Sequence, residues 1–288
     1  MSNNSGKTAL VVEGGGMRSI FAAGILNAFS RENFNPFDLY IGVSAGACHL
    51  ASHLAGQNDR NFDITLRYSL KSRFINPWRF LRGGHLMDLD WMWEQTIANY
   101  RLNLKYLFDN LRAKNKEYFV VATSMETGNA LYLRPNENTL EHYLKVSSSI
   151  PVFYRNILEA GGKKATDGGI ADSIPVREAY RREATDIIVI RSRPSDYIKK
   201  QNPLILLIFS IYFKKYPKLV EKFKQRAQNY MDAVNFIHHP PQGIRITELA
   251  PPNDIDIGRT TQKENVLRSS YQKGIDYGNE FLKRRRGI

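Results

Sequence analysis

Short continuous apolar runs alternate along the chain with longer amphipathic stretches. "TALVV" (8–12) is apolar after its first residue, the pattern of a strand covered on both faces. "IFAAGILNAFSRE" (20–32) follows at helical spacing, and "FDLYIGVSAGA" (37–47) reads as a second strand. That strand is expected to break at Gly42 and pass into a helix through "GACHLASHLAG" (46–56). Residues 58–112 are mixed, helix-like and rich in Arg, Phe and Trp. "EYFVVATSME" and "ALYLRP" predict two strands joined by a "TGN" hairpin, and "LEHYLKVSSSIP" a helix ending before Pro151. "NILEAGGKKATDGGI" predicts two short strands about a "GGKK" turn, closing on an acid. "TDIIVIRSRP" and "GIRITELAPP" predict the remaining strands, and helical propensity returns from Thr260 to the terminal "KRRRGI".

This alternation predicts an α/β fold, a three-layer sandwich about a mostly parallel central sheet. No repeat or low-complexity linker divides the 288 residues, so one domain is the economical organisation. The expected divisions are a polar tail (1–6), a main domain (7–193) with 58–112 as candidate lid or insertion, and a C-terminal extension (194–288) packed on it.

Charge adds a partner to this picture. Lys and Arg number 41 against 28 Asp and Glu, a formal +13, which favours a polyanionic neighbour such as nucleic acid or an anionic membrane. Nothing but charge speaks for nucleic acid, so none is expected. Cys48 is the single cysteine; it forms no intramolecular disulfide and reads as a small apolar residue. "MSNNSGK" has no signal-peptide core, which predicts a cytoplasmic protein in peripheral contact with the inner membrane surface. The apolar run Leu204–Phe213 is about half the length of a spanning helix. Lys199 and Lys200 precede it, and Lys214, Lys215 and Lys218 follow. Two readings stay open for it: a buried core element, or an apolar segment that enters a membrane interface through Leu206 and Phe209 with lysines at the headgroups.

Candidate chemistry begins at "VVEGGGMRSI". Three successive glycines after a strand suit a backbone that meets a negative charge, either a nucleotide phosphate or a reaction oxyanion. The dinucleotide fingerprint is incomplete: Gly14, Gly16 and Ser19 give G-x-G-x-x-S, and no G-K-[ST] follows. "GVSAG" (42–46) matches the nucleophile elbow, in which flanking glycines (Gly42, Gly46) permit a sharp turn that exposes Ser44. A nucleophilic serine needs a base and oxyanion donors. The triple glycine is the candidate source of those donors. For the base, His49 and His53 lie along the helix after Ser44, and "HHPP" reads as a polar loop before the last strand. An α/β-hydrolase triad would require His238 or His239. The other candidate is Asp167, exposed by the glycines of "DGG" (Gly168, Gly169).

"GGGMR", "GVSAG" and "DGG" in that order, with "SSSIPVFY" before the last, resemble the patatin-like phospholipase family, especially its bacterial members. The resemblance runs from about Leu10 to Pro175. "RTTQKENVLRSSYQKGIDYG" also resembles their C-terminal part. It implies a patatin-like fold and a serine acyl hydrolase that cleaves lipid esters by a Ser44–Asp167 dyad, with no metal or cofactor. Gly14, Gly15 and Gly16 would form the oxyanion hole, and Arg18 would stabilise the loop or the oxyanion. Ser19 departs from the glycine many members carry. Two other function classes compete: a Ser-Asp-His esterase, and a non-catalytic protein that binds membrane surfaces.

Overall fold

The computed structural model describes residues 6–255 and 257–287; the first five residues of the expected polar tail lie outside them. Strand β1 (Lys7–Val12) leads through a short 3₁₀ turn (Gly16–Ser19) into α1 (Ile20–Arg31). β2 (Leu39–Val43) is followed by α2 (Ala45–Leu54). The 58–112 stretch forms α3 (Arg60–Ile64), a π-turn (Thr65–Ser69), α4 (Pro77–Leu81), α5 (Leu89–Asn99) and α6 (Leu104–Ala113). β3 (Glu117–Ser124) and β4 (Ala130–Leu133) make the hairpin, then come α7 (Leu140–Ser147), β5 (Leu158–Ala160), β6 (Lys163–Asp167) and α8 (Val176–Arg181). The rest is β7 (Ala184–Ile190), α9 (Pro203–Tyr212), α10 (Pro217–Lys224), α11 (Arg226–His238), β8 (Arg245–Leu249) and α12 (Glu264–Arg286).

β3, β2, β1, β7 and β8 lie side by side in that order and are parallel, while β4 and β6 each pair antiparallel with β3 and β5 pairs with β6. Alternation along β1 builds the three layers. Leu10 and Val12 join a core with Phe21 and Ile25 of α1, Leu50 of α2 and Leu282 of α12. Ala9 and Val11 join another with Ala179 of α8 and Tyr230 and Ile237 of α11. β1 is therefore apolar on both faces because helices cover both. The C-terminal extension shares this fold: β8 extends the sheet from β7, and α12 packs against α1.

One local expectation shifts. β2 does not break at Gly42, which stays in register with Val12 and Val120. Its missing Cβ instead lets α2 fold back, since a Cβ there would lie 2.5 Å from the Cα of Ala47. α7 ends at Ser147, before Pro151 as expected.

The apolar 204–213 run is a helix with mostly exposed apolar side chains. Leu204, Leu207 and Ile211 are 65%, 56% and 65% exposed and recur on one face. Phe209 is only 3% exposed and stacks on Phe223 with ring centroids 3.9 Å apart. Phe209 thus anchors the helix to the protein, and Leu206 is half-buried beside it; neither is a free surface contact. No helix among the described residues is long and apolar enough to cross a membrane.

Candidate active site

Ser44 follows β2 with φ 54° and ψ −129°, a left-handed backbone that a non-glycine residue adopts only at a cost of about 1–3 kcal/mol. The surroundings enforce it. A Cβ on Gly46 would lie 2.6 Å from the carbonyl oxygens of both Val12 and Glu13, and one on Gly14 would lie 2.8 Å from that of Val43. Glycine is required at both positions because three backbones converge there.

The sheet itself brings Asp167 to Ser44. On β3, Ala122 and Thr123 pair with β4 and also with β6, so these two strands occupy opposite edges. β2 and β4 likewise share Val120 and Val121, so β2 and β6 lie on the same edge, end to end. Val43 is opposite Val121, and Asp167 is opposite Ala122. The residue after β2 and the last residue of β6 therefore meet. A Cβ on Gly168 would clash with Val121 O, which holds the acid turn against β3.

"SSS" (147–149) ties this junction together. Ser147 Oγ accepts from Ser44 N at 2.7 Å and donates to Val121 O at 2.6 Å. Ser149 O accepts from Asp167 N at 3.2 Å and from Thr166 Oγ1 at 2.8 Å. Asp167 Oδ1 accepts from Gly169 N at 2.8 Å. Among the described residues no hydrogen bond runs directly from Ser44 Oγ to the Asp167 carboxylate; both groups line one cavity of about 480 Å³. Sequence reasoning gave Ser147 and Ser149 no role, although their motif was visible.

The glycine loop borders the same cavity. Glu13 N donates to Ile190 O and Met17 N to Arg259 O, whereas the N–H groups of residues 14–16 have no acceptor among the described residues. Glu13 steadies the loop from behind, pairing with buried Arg191 at 3.4 Å and accepting from Ser192 N at 2.8 Å. Ser19 Oγ donates to Gly16 O at 2.7 Å, which leaves it to accept from His49 Nε2 at 2.9 Å. The unexpected serine thus links the loop to α2. Burial lowers the His49 pKa to about 4, with a smaller contribution from Arg60, so the ring is neutral and serves as a tether. His53 is held in the same way by Ser30 at 2.7 Å. Arg18 is buried on the cavity wall, and its Nε has no partner among the described residues. Burial, with Arg259 and Arg193 nearby, lowers its pKa to about 9.

The remaining histidines stand apart. His238 closes α11, instead of lying in the expected loop, and meets Glu248 at 3.1 Å. His239 meets Asn235 at 3.0 Å. Neither lines a cavity that contains Ser44.

Ser44 also borders a second cavity, of about 150 Å³, whose wall is largely apolar. Met17 and Ile20 contribute to it from the loop side, and Ile64, Phe74, Leu89 and Met92 from the 58–112 stretch. The larger cavity carries cations on one wall and Ile205, Ile208 and Phe209 of α9 near them. The hydroxyl of Ser44 sits where an apolar and a cationic compartment meet. A bond cleaved there would have one apolar and one polar side.

A family model for patatin-like phospholipases matches residues 10–180, and a second, for a domain of unknown function (DUF6363), matches 216–286. YjjU, an uncharacterized protein of Escherichia coli (strain K12), is 36% identical over 290 residues, which cover 96% of this chain and 77% of that protein. Lysophospholipase NTE1 of Lodderomyces elongisporus is 23% identical over 307 residues, spanning 95% of this chain and 19% of its own length. The crystal structure of VipD from Legionella pneumophila aligns with a TM-score of 0.45 at 13% identity, covering 97% of this chain and 67% of that one.

Proposed function

The chain belongs to the patatin-like phospholipase family, and on that premise we propose that Ser44 and Asp167 hydrolyse the acyl ester bond of a lipid. The observation that carries this is the left-handed turn at Ser44, held beside Asp167 at the junction of the two cavities. Family membership supports lipid acyl hydrolysis in general terms.

In this mechanism Ser44 Oγ attacks the ester carbonyl carbon as its proton passes to the Asp167 carboxylate. The carbonyl π electrons move to oxygen, and the free amides of Gly14, Gly15 and Gly16 receive that charge; such preorganised donors are typically worth about 3–4 kcal/mol each. Arg18 adds positive potential from the cavity wall. Collapse expels the alcohol, which takes the proton from Asp167 and leaves an acyl-serine. Water then loses a proton to Asp167, attacks the acyl carbon and releases the acid, returning the proton to Ser44. A carboxylate is a weak base for a hydroxyl, so its transfer depends on close, dry contact, and catalytic hydrogen bonds tighten when substrate arrives. The apolar compartment suits the acyl chain. A fluorophosphonate probe is expected to label the protein once, at Ser44, when the adduct is mapped by peptide mass spectrometry; a label elsewhere, or none, counts against the nucleophile.

We further propose that α9 rests on an anionic membrane. Its outer face carries Leu204, Leu207 and Ile211, and Lys214, Lys215 and Lys218 follow it. Each lysine near such a surface contributes about 1 kcal/mol, screened by salt, while apolar burial adds a salt-insensitive part. The variant Leu204→Gln, Leu207→Gln, Ile211→Gln keeps helix propensity and leaves the cavity wall intact. Its cosedimentation with phosphatidylglycerol vesicles should fall at least fivefold at an unchanged melting temperature. Equal vesicle binding by variant and parent would remove the membrane from the picture.

A further inference from the structure

We propose that residues beyond the patatin-like region, Arg193, Lys199, Lys200, Arg226 and Arg259, complete the active site with a phosphate-binding wall, so that the preferred substrate carries its phosphate beside the scissile ester. This rests on the serine hydrolase reading above.

The larger cavity is lined by six cationic side chains, Arg18, Arg193, Lys199, Lys200, Arg226 and Arg259, against two carboxylates, Glu13 and Asp167. Only Arg18 belongs to the patatin-like region; Arg226 and Arg259 lie within 216–286, and the others lie between the two regions. Glu13 pairs with Arg191, and Asp167 accepts from Gly169 N. Among the described residues none of the six cations has a carboxylate within 4.0 Å.

Four of the six are positioned by contacts other than a close carboxylate pair. Arg226 donates Nε to Gly169 O at 2.6 Å, directly behind the acid turn, and its terminal nitrogens have no protein partner among the described residues. Lys199 Nζ lies 4.3 Å from the Tyr230 ring centroid, and the Arg193 guanidinium 4.4 Å from that of Tyr197. Arg259 meets the glycine loop through its carbonyl, leaving its side chain free to face the cavity. Burial and the guanidinium of Arg259 lower the Arg226 pKa to about 10. Burial, with Arg226 and Arg259, also lowers that of Lys199. Like charges gathered in a partly dry cavity destabilise one another unless an anion joins them.

Phosphate suits this arrangement better than a carboxylate. It spreads one to two negative charges over several oxygens, and guanidinium groups bind that geometry through paired N–H donors. The cations share the larger cavity that Ser44 borders, and Arg259 also borders the apolar compartment. An ester with its acyl chain in one compartment and its glycerol phosphate in the other would span the nucleophile.

The test compares kcat/KM for 1-octanoyl-glycerol 3-phosphate and 1-octanoyl-glycerol, below their aggregation limits. The parent protein should prefer the phosphate-bearing ester at least tenfold. Lys199→Gln and Arg226→Gln should each reduce that preference at least fivefold, and Arg226→Lys should retain most of it. Lys199→Gln is the cleaner variant, because its ammonium group makes no hydrogen bond among the described residues. Calorimetric titration with glycerol 3-phosphate reads the same wall without turnover, and Lys199→Gln should weaken that binding at least fivefold. Equal use of the two esters, or no binding of glycerol 3-phosphate, overturns the proposal. Inorganic phosphate that binds as tightly as glycerol 3-phosphate, with no preference between the esters, would assign the wall to free phosphate and overturn the substrate role. Loss of all ester hydrolysis with glycerol 3-phosphate binding intact would fault the serine chemistry alone and support the wall.

Discussion

Ser44→Ala is expected to lower kcat/KM for p-nitrophenyl butyrate by on the order of 10⁴-fold or more, because no acyl-serine can form without the hydroxyl. What persists would come from binding and from the free amides of the glycine loop. The fold should be indifferent to the change. Alanine keeps the Cβ and meets the same backbone cost at φ 54°, and Ser44 Oγ makes no hydrogen bond within the described protein. The Ser44 amide still reaches Ser147 Oγ. The measurement is steady-state turnover beside a thermal melt of the same preparation. A folded, pure variant that retains full turnover would end the assignment of Ser44 as nucleophile.

Asp167→Asn is expected to reduce turnover by on the order of 10³- to 10⁴-fold, the scale seen when a catalytic acid–base partner is lost with its geometry preserved. Asparagine has the same shape, and its oxygen can still accept from Gly169 N; what disappears is proton affinity. His238→Ala and His239→Ala should each stay within about twofold of the parent, since these side chains are occupied by Glu248 and Asn235 away from both cavities. The dyad and a histidine triad are separated by comparing these three variants on one soluble ester. A histidine variant as impaired as Asp167→Asn would favour the triad.

Most of the fold was legible because burial leaves a periodic trace. β1 from Ala9 onward and β2 are buried on both faces, as a strand between two helical layers requires, and the strand order in sequence carried through to β8. Gly42 was the instructive error. A glycine in a strand reads as a break, yet here it admits α2 against the sheet, a close approach to Ala47 that the strand's own pattern does not show. α9 shows the same limit. Ten apolar residues do not say which of them turn inward, and Phe209 does so because Phe223, in the next helix, offers its ring.

The motifs "GGG", "GVSAG" and "DGG" were determined by sequence alone, because close backbone approach excludes side chains and so marks the chain locally. The placement of Asp167 at the end of β2 was decided by tertiary structure, since it depends on β2 and β6 sharing one edge of β3. The roles of Ser147 and Ser149 were likewise decided there, as was the convergence of Lys199, Arg226 and Arg259 on one cavity. A lysine or arginine in sequence looks the same whether it faces solvent or a neighbour's charge. Charge has no periodicity that burial must obey, so only the folded chain reveals which cations are gathered and left without partners.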